Sequence, residues 1–413
     1  MNEFQQNLYN DLMNLVETSE AFYFQDVEKD ERWYRIFNYR LASYTEFLHP
    51  NALECRGHMF EIEKSGSPEE VTMLRLASLP PEKFFNLYEN PMTMNLDLSQ
   101  INLIEDKADG SLISTYIHCA YDREGYVALK TKGSLYSDQC HDATAWLQKN
   151  RSFEHELQLL SALGYTINME WISPTNRIVI GYEQPQLRVL NIRNNMDGSY
   201  LDKHDLDSSY RELHAHWIDQ IVVVNVVDNE AAVIVGGELK ALNLVKFIEM
   251  IPEMESIEGF VVRLSTGQRV KIKTKWYLAL HHSKDSINSD RRLYEAVLNE
   301  ATDDLRSLFH DDPVAIARIE TMEQFVDKAY NHLVDTVERF YERNKALERK
   351  DYAILGQKEL TRHQFGLAMR RYLNQEVNYK DFMLAKWKEF GVKDDPDTDS
   401  TELFEADLER RDV

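Results

Sequence analysis

From about Trp33 to Tyr277 the chain alternates apolar and polar residues over short runs broken by turn residues, a period-2 pattern that predicts β-strands. TYIHCAYDREGYVALKTKGS predicts two strands joined at Asp122-Arg123-Glu124-Gly125, and RVLNIRNNMDGSYL a second hairpin with Asp197-Gly198 at its tip. IVVVNVVDNEAAVIV predicts a third hairpin turning near Asp228-Asn229-Glu230, and FVVRLSTGQRVKIKTKW a fourth with Thr266-Gly267 in the bend. Between these runs, Asp142 to Leu163 predicts a helix striped by Trp146, Leu147, Leu157, Leu160 and Leu163.

After about Ser283 strand patterning nearly vanishes. Ile319, Met322, Val326, Ala329, Leu333, Val337 and Phe340 recur at steps of three and four, one face of a long amphipathic helix. Leu293, Val297 and Leu305 predict a helix before it, and Phe365, Met369 and Tyr372 one after it. A boundary near residue 285 therefore separates a mixed domain, 1–285, from a helical one, 286–413. The last stretch, 394–413, has nine acidic residues against Arg410 and Arg411, a net of −7, and is expected to be a solvated tail.

Composition changes this picture little, except in charge. The 413 residues are 43% hydrophobic and 28% charged, a globular balance, and Gly 15 and Pro 10 exclude collagen-like and low-complexity classes. Cys55, Cys119 and Cys140 form no CxxC pair and no disulfide framework, which fits a reducing compartment. The polar, acidic start lacks a signal-peptide pattern, and the longest apolar stretch, Ile221 to Val227, is too short to span a bilayer, so a cytoplasmic chain is expected. Lys+Arg 47 against Asp+Glu 70 leaves −23, which taken alone argues against a nucleic-acid partner.

Three strings point the other way. Lys107-Ala108-Asp109-Gly110-Ser111 lies between apolar segments, where a lysine can attack a nucleotide α-phosphate; its amine attacks only when unprotonated, which burial or neighbouring cations favour. It equally suits a surface lysine beside a turn. Arg269-Val270-Lys271-Ile272-Lys273-Thr274-Lys275 alternates so that a strand would project all four cations from one face, toward an anion or as a guarded edge strand. Glu258 precedes it across the Thr266-Gly267 turn, and Glu170 interrupts the apolar run INMEWI.

Taken in order, YRIFNY (34–39), ALECRG (52–57), EKFFNL (82–87) followed by ENP, KADGS, KTKGS (130–134), PTNRIV (174–179), EGFV (258–261) and KIKTKWY (271–277) resemble the covalent nucleotidyltransferase superfamily. Within it the match is to the RNA ligase 1 family of T-even bacteriophages, over roughly residues 1–310. The resemblance implies an α+β fold: a ligase-type nucleotidyltransferase domain, unrelated to ATP-grasp, of antiparallel sheet with flanking helices, followed by an all-helical C-terminal domain. It also implies an ATP-dependent RNA ligase that joins an RNA 5′-phosphate to a 3′-hydroxyl through lysyl-AMP and an adenylylated RNA end.

By that resemblance Lys107 takes AMP from ATP, and Arg56, Lys83, Lys271 and Lys273 surround the ATP phosphates. Tyr39 contacts the nucleotide, Glu170 and Glu258 hold the ribose and the metal-bound phosphate region, and Tyr277 is needed for sealing. Lys130 and Lys132 are expected to meet the RNA substrate, and Asp303, in ATDDL, matches a metal ligand, although a plain helix-surface aspartate is the alternative. Mg²⁺ is the expected metal, and single-stranded RNA ends, including cleaved tRNA, are the expected partners of a monomer working in the infected host cell's cytoplasm. The chain departs from the pattern in Met169 and Trp171 flanking Glu170 in place of two phenylalanines, and in a longer stretch between Glu170 and Glu258 that is either an ornamental hairpin or an RNA contact.

Other readings are a DNA ligase, a capping-type nucleotidyltransferase, and an ATP or RNA sensor that does not seal. The first two place an OB module after the basic motif, where this chain turns helical. Intact Lys107, Glu258, Lys271 and Lys273 weigh against a decayed sensor. His214-x-His216 and His281-His282 lack a third ligand at zinc-like spacing.

Overall fold

A computed structural model describes residues 2–393 except 65–70, 96, 120–124, 175, 177–178, 228, 282–286, 288 and 311, and of 279–281 it describes the backbone alone. Contacts between Cα atoms divide the chain into two units, Met1–His281 and His282–Val413. Residue 285 and the acidic stretch 394–413 lie outside the described residues.

The first unit begins with helix α1 (Glu3–Thr18), capped by the Asn2 side chain, which accepts from the Gln5 amide. Leu8, Leu12 and Leu15 recur at helical spacing and bury against a four-stranded antiparallel meander of β1 (Phe22–Lys29), β2 (Arg32–Tyr39), β3 (His58–Lys64) and β4 (Val71–Ser78). Strand β2 is buried along most of its length because both faces are covered. Phe37 and Tyr39 join the α1 core, while Tyr34 and Ile36 pack with Tyr116 and Ala128 of the next sheet and with Leu135 in the loop beyond it.

That second sheet has the order β11-β10-β9-β7-β8, built from β7 (Ser111–His118), β8 (Tyr126–Thr131), β9 (Tyr165–Ile172), β10 (Gln186–Asn194) and β11 (Tyr200–Leu201). Ile113, Ile167, Met169, Leu187 and Val189 pack with residues of α2 (Asp138–Leu147), α3 (Arg151–Ala162) and α4 (Arg211–His216). The expected helix over 142–163 is thus two: Gln148–Asn150 interrupts it, Ser137 caps α2, and Leu163 ends exposed.

The third sheet has the order β14-β13-β12-β6-β15-β16-β5. Its strands are β5 (Phe85–Asn86), β6 (Ile101–Asp106), β12 (Gln220–Val227), β13 (Glu230–Val235), β14 (Glu238–Asn243), β15 (Gly259–Leu264) and β16 (Arg269–Lys273), joined by α5 (Leu244–Met250) and followed by α6 (Lys275–His281). Basic strand β16 is no edge strand: β15 pairs on one side and β5 on the other. Val270 and Ile272 enter the core while Lys271 and Lys273 stay half-buried on the opposite face; Lys275, the fourth expected cation, falls on α6 and pairs with Glu253. The long stretch before Glu258 extends this sheet as β12, β13 and β14.

In the second unit α7 (Asp290–Leu298), α8 (Thr302–Leu308), α9 (Pro313–Asn344), α10 (Arg349–Glu359), α11 (Arg362–Tyr372) and α12 (Tyr379–Ala385) are all helical. Asp312 caps α9 and Pro313 starts it, a favoured order because proline's missing N–H is no loss there. The stripe Ile319, Val326, Leu333, Val337 and Phe340 is buried as its spacing predicts, with Tyr330 buried beside it.

A buried arginine ties three segments of the first unit together. Arg193 donates through Nη1 and Nη2 to Glu54 Oε2 and Oε1 at 2.8 and 2.9 Å, and to the carbonyls of Pro80 and Gly198 at 2.9 Å each. His58 Nε2 stands 2.8 Å from Glu54 Oε2. Burial pushes the Glu54 carboxyl up, but hydrogen bonds from Arg193 and His58 outweigh it and hold the group well below the usual range. The stabilisation is therefore present above the unfolded carboxylate pKa and lost as pH falls through the lowered folded value. Arg193→Ala strands Glu54 in the interior, and urea unfolding at pH 7 should show a loss of about 3–5 kcal/mol. That deficit should shrink as pH falls, because burial without Arg193 lets Glu54 of the variant take up a proton before Glu54 of the wild type does.

Candidate active site

The loop Lys107-Ala108-Asp109-Gly110 leaves β6 of the third sheet and enters β7 of the second, so it spans a cleft between the two sheets. Two glycines allow the approach. A Cβ on Gly110 would lie 2.2 Å from the Trp171 carbonyl oxygen, and one on Gly259, at φ +145°, would lie 2.0 Å from that of Ile272. The Lys107 amide donates to the Gly259 carbonyl at 3.0 Å, fixing the start of the loop against β15.

Strand order then brings the charges together. Strand β15 lies between β6 and β16, with Phe260 opposite Asp106 and Gly259 opposite Lys273. Glu258, just before β15, receives both neighbours: Lys107 Nζ is 2.7 Å and Lys273 Nζ 3.2 Å from its Oε1. Its side chain is 3% exposed, and Oε2 is buried without a hydrogen-bond partner among the described residues. Glu170, on β9 opposite Leu112, lines the cleft from the other sheet. Burial pushes its carboxyl up to about 7, with Lys107 opposing the shift and Glu258 adding to it.

The cleft has a volume of about 530 Å³, in the range of small-molecule sites. Arg56, Lys107, Lys132, Lys271 and Lys273 face it, as do Glu105, Asp106 and Glu170; Pro81, Phe84, Leu112, Leu190, Ile218 and Val261 supply apolar surface. The cations match a polyphosphate, and the apolar surface matches a nucleobase. Glu170 and the unpartnered Oε2 of Glu258 are hard oxygen donors of the kind a divalent cation takes, so the site fits a nucleoside triphosphate with its metal.

Other expected residues stand elsewhere. Tyr277 is 2% exposed, and its hydroxyl donates to Asp109 Oδ1 at 2.8 Å. Asp109 Oδ2 accepts from the amides of Val179 and Ile180 at 2.8 and 2.7 Å, and its own amide donates to the Tyr182 hydroxyl at 2.9 Å. Tyr277 thus braces the Lys107–Gly110 loop through Asp109. Lys83 lines a neighbouring cavity of about 490 Å³ that shares Phe84 and Arg269 with the cleft. Its ammonium stands 5.3 Å from the Tyr39 ring, and Lys132 stands 4.8 Å from the same ring, so Tyr39 is a platform for two cations. Asp303 belongs to the second unit, in the first turn of α8, where Oδ1 accepts from the Asp304 amide at 3.0 Å. Thr175, Arg177 and Ile178 of PTNRIV lie outside the described residues. His216 stacks on Phe153 at 4.7 Å between ring centroids, a packing role.

Lys130 corrects an expectation. Rather than meeting RNA, it is completely buried and donates to the Gly57 carbonyl at 2.7 Å, beside Arg56. Several residues of the site had no assigned role in the sequence. Glu105, two positions before Lys107, carried a signal as an acidic residue ending an apolar run; Tyr182 and Asn191 carried none.

Burial pushes the Lys130 ammonium down to about 7, aided by Arg56. Its folded pKa lies below the unfolded value near 10.4, so between about pH 7 and 10 the unfolded chain binds more protons and this group makes stability rise with pH. Comparing denaturant unfolding of the wild type with Lys130→Met across that window should show this rise, up to about 1.4 kcal/mol per pH unit, in the wild type alone.

Two family models match the chain: one described as RNA ligase over residues 54–277, just over half of the chain, and one described as T4 RNA ligase 1, C-terminal domain, over 284–392. A candidate RNA ligase of Thermovibrio ammonificans is 26% identical over 334 residues, 78% of either chain. Among solved structures, an archaeal ATP-dependent RNA ligase aligns over 78% of this chain and 82% of its own at 13% identity and TM-score 0.42. The Naegleria gruberi RNA ligase with pyrophosphate aligns over 54% and 65% at 15% identity and TM-score 0.34. No helix among the described residues is long and apolar enough to cross a membrane. With both family models matching in order, the chain belongs to the T4 RNA ligase 1 family of RNA ligases.

Proposed function

We propose that Lys107 is the nucleophile of this ligase and that the cleft between the second and third sheets holds ATP. The observation that supports this reading is the single oxygen of Glu258 contacted by both Lys107 and Lys273, the pairing that an attacking amine beside a phosphate-binding cation would need. The Lys107 amine loses a proton and attacks the α-phosphorus; an N–P bond forms, the bond to the bridging oxygen breaks, and pyrophosphate leaves. The AMP then passes to an RNA 5′-phosphate, and an RNA 3′-hydroxyl displaces it to seal the strand.

Arg56, Lys271 and Lys273 surround the phosphates, and Lys132 extends the cationic wall toward the RNA end. Glu170 holds the ribose, and Glu170 with Glu258 would hold a divalent cation, taken to be Mg²⁺. When bound, that cation supplies neutralising charge at the phosphates. Tyr277 positions Asp109, and Tyr39 positions Lys83 and Lys132. Asp303 would be a further metal ligand by family resemblance alone.

Residues 1–285 form the adenylyltransferase domain and 286–413 a helical domain that recognises the RNA, in cleaved tRNA by preference. The protein works as a monomer in the cytoplasm of an infected host cell, where RNA cut by a nuclease is repaired.

Lys107→Ala should abolish covalent labelling by α-labelled ATP; labelling of that variant at wild-type stoichiometry contradicts the assignment. A ligation panel of nicked duplex, single-stranded RNA, single-stranded DNA and cleaved tRNA, with ATP and Mg²⁺, should favour the two RNA-end substrates. Deleting 286–413 should spare enzyme–AMP formation and impair tRNA sealing more than sealing of generic single-stranded RNA, and equal losses would refute the assigned role of the helical domain.

A further inference from the structure

A row of hydrogen-bonded polar side chains crosses the second sheet and ends at the cleft. Ser114 Oγ donates to Asn168 Oδ1 at 2.6 Å, and Asn168 Nδ2 donates to the Leu79 carbonyl at 3.2 Å and to Asn191 Oδ1 at 3.0 Å. Ser114 is 1% and Asn168 0% exposed, whereas Asn191 lines the cleft. The row follows the strand pairing, Ser114 opposite Asn168 and Asn168 opposite Asn191.

The direction of these bonds is determined. A backbone carbonyl only accepts, so the Leu79 oxygen requires Asn168 to turn its NH₂ that way. The second N–H of the same group then meets Asn191, which must present its oxygen. The Asn191 NH₂ is left as a donor at the cleft wall.

A local irregularity delivers it there. Register along β9 and β10 runs Arg188–Glu170, Val189–Met169, then Asn191–Asn168, so Leu190 is one residue extra. Such a bulge re-aims side chains, and Leu190 and Asn191 both line the cleft. Ile218, whose amide donates to the Val189 carbonyl at 2.8 Å, completes an apolar wall beside Leu190. A fixed donor next to an apolar wall suits a planar ring bearing an acceptor nitrogen.

We propose that Asn191 is a specificity-determining residue that donates a hydrogen bond to a ring nitrogen of the adenine of ATP, its amide locked in that sense by Asn168 and Ser114. This rests on the cleft being the ATP site. Asn191→Asp keeps an acceptor for Asn168 but removes the donor, and Asn191→Ala removes both.

The test is the ATP dependence of enzyme–AMP formation, with thermal unfolding run alongside. Both variants should raise KM for ATP about tenfold with kcat within about twofold of wild type; melting should be unchanged in Asn191→Asp, which keeps the acceptor for Asn168, and lowered in Asn191→Ala, so the Asp variant gives a split that a purely structural role would not. Of 1-deaza-, 3-deaza- and 7-deaza-ATP, one should be a poor substrate for the wild type and lose nothing further with Asn191→Ala. A wild-type KM in both variants overturns the proposal. So does a pattern in which 2′-deoxy-ATP, and no deaza analogue, is insensitive to the substitution, since that places the bond on the ribose. Failure of the wild type to form enzyme–AMP at all would instead overturn the cleft as the ATP site.

Discussion

The geometry of the cleft depends on one buried carboxylate between two ammonium groups. Glu258 is almost wholly removed from solvent, yet a single oxygen contacts Lys107 and Lys273, which reach it from opposite neighbours of β15. A buried ion pair adds little net stability, since desolvation cancels most of the attraction. What it provides is position: the tips of two flexible side chains are held at a point set by backbone pairing. Lys107 also has its amide bonded to Gly259, and Asp109 is held by two backbone amides and the Tyr277 hydroxyl. The loop is fixed on both sides of the Lys107 side chain.

This arrangement also resolves the acidity of the chain. A net charge of −23 is a property of the whole molecule, and seven of those charges fall in its last twenty residues. Six cations, Arg56, Lys107, Lys132, Arg269, Lys271 and Lys273, line one cleft, where partial burial strengthens each interaction with an anion. A local field of that kind suits phosphates, while the acidic remainder limits non-specific attraction to RNA.

Much of the fold was legible because alternation and turn residues report strands locally. The four hairpins, the α9 stripe and the opposed faces of β16 follow from spacing, and Lys107, Glu170, Glu258, Lys271 and Lys273 converge through the order of strands. What escaped depends on neighbours distant in sequence. Lys130 and Lys132 share a spacing, but Lys130 lies within β8, opposite Ser114 and beneath the first sheet, whereas Lys132 lies beyond the strand's end and lines the cleft. Alternation cannot tell those environments apart. Arg193 reads as one polar position in a hairpin, although its carboxylate partner is 139 residues away. The bulge at Leu190 leaves no mark in composition, so Asn191 could not be placed at the cleft before the register was known.

The claim on which the rest stands is that Lys107, among all the lysines of the cleft, takes the nucleotide. The direct measurement is peptide mapping by mass spectrometry of the full-length wild-type protein after incubation with ATP and Mg²⁺ in the absence of RNA. AMP on the peptide containing Lys107, and on no other, is the expected result. AMP on Lys132, Lys271 or Lys273, with Lys107 unmodified, would contradict it.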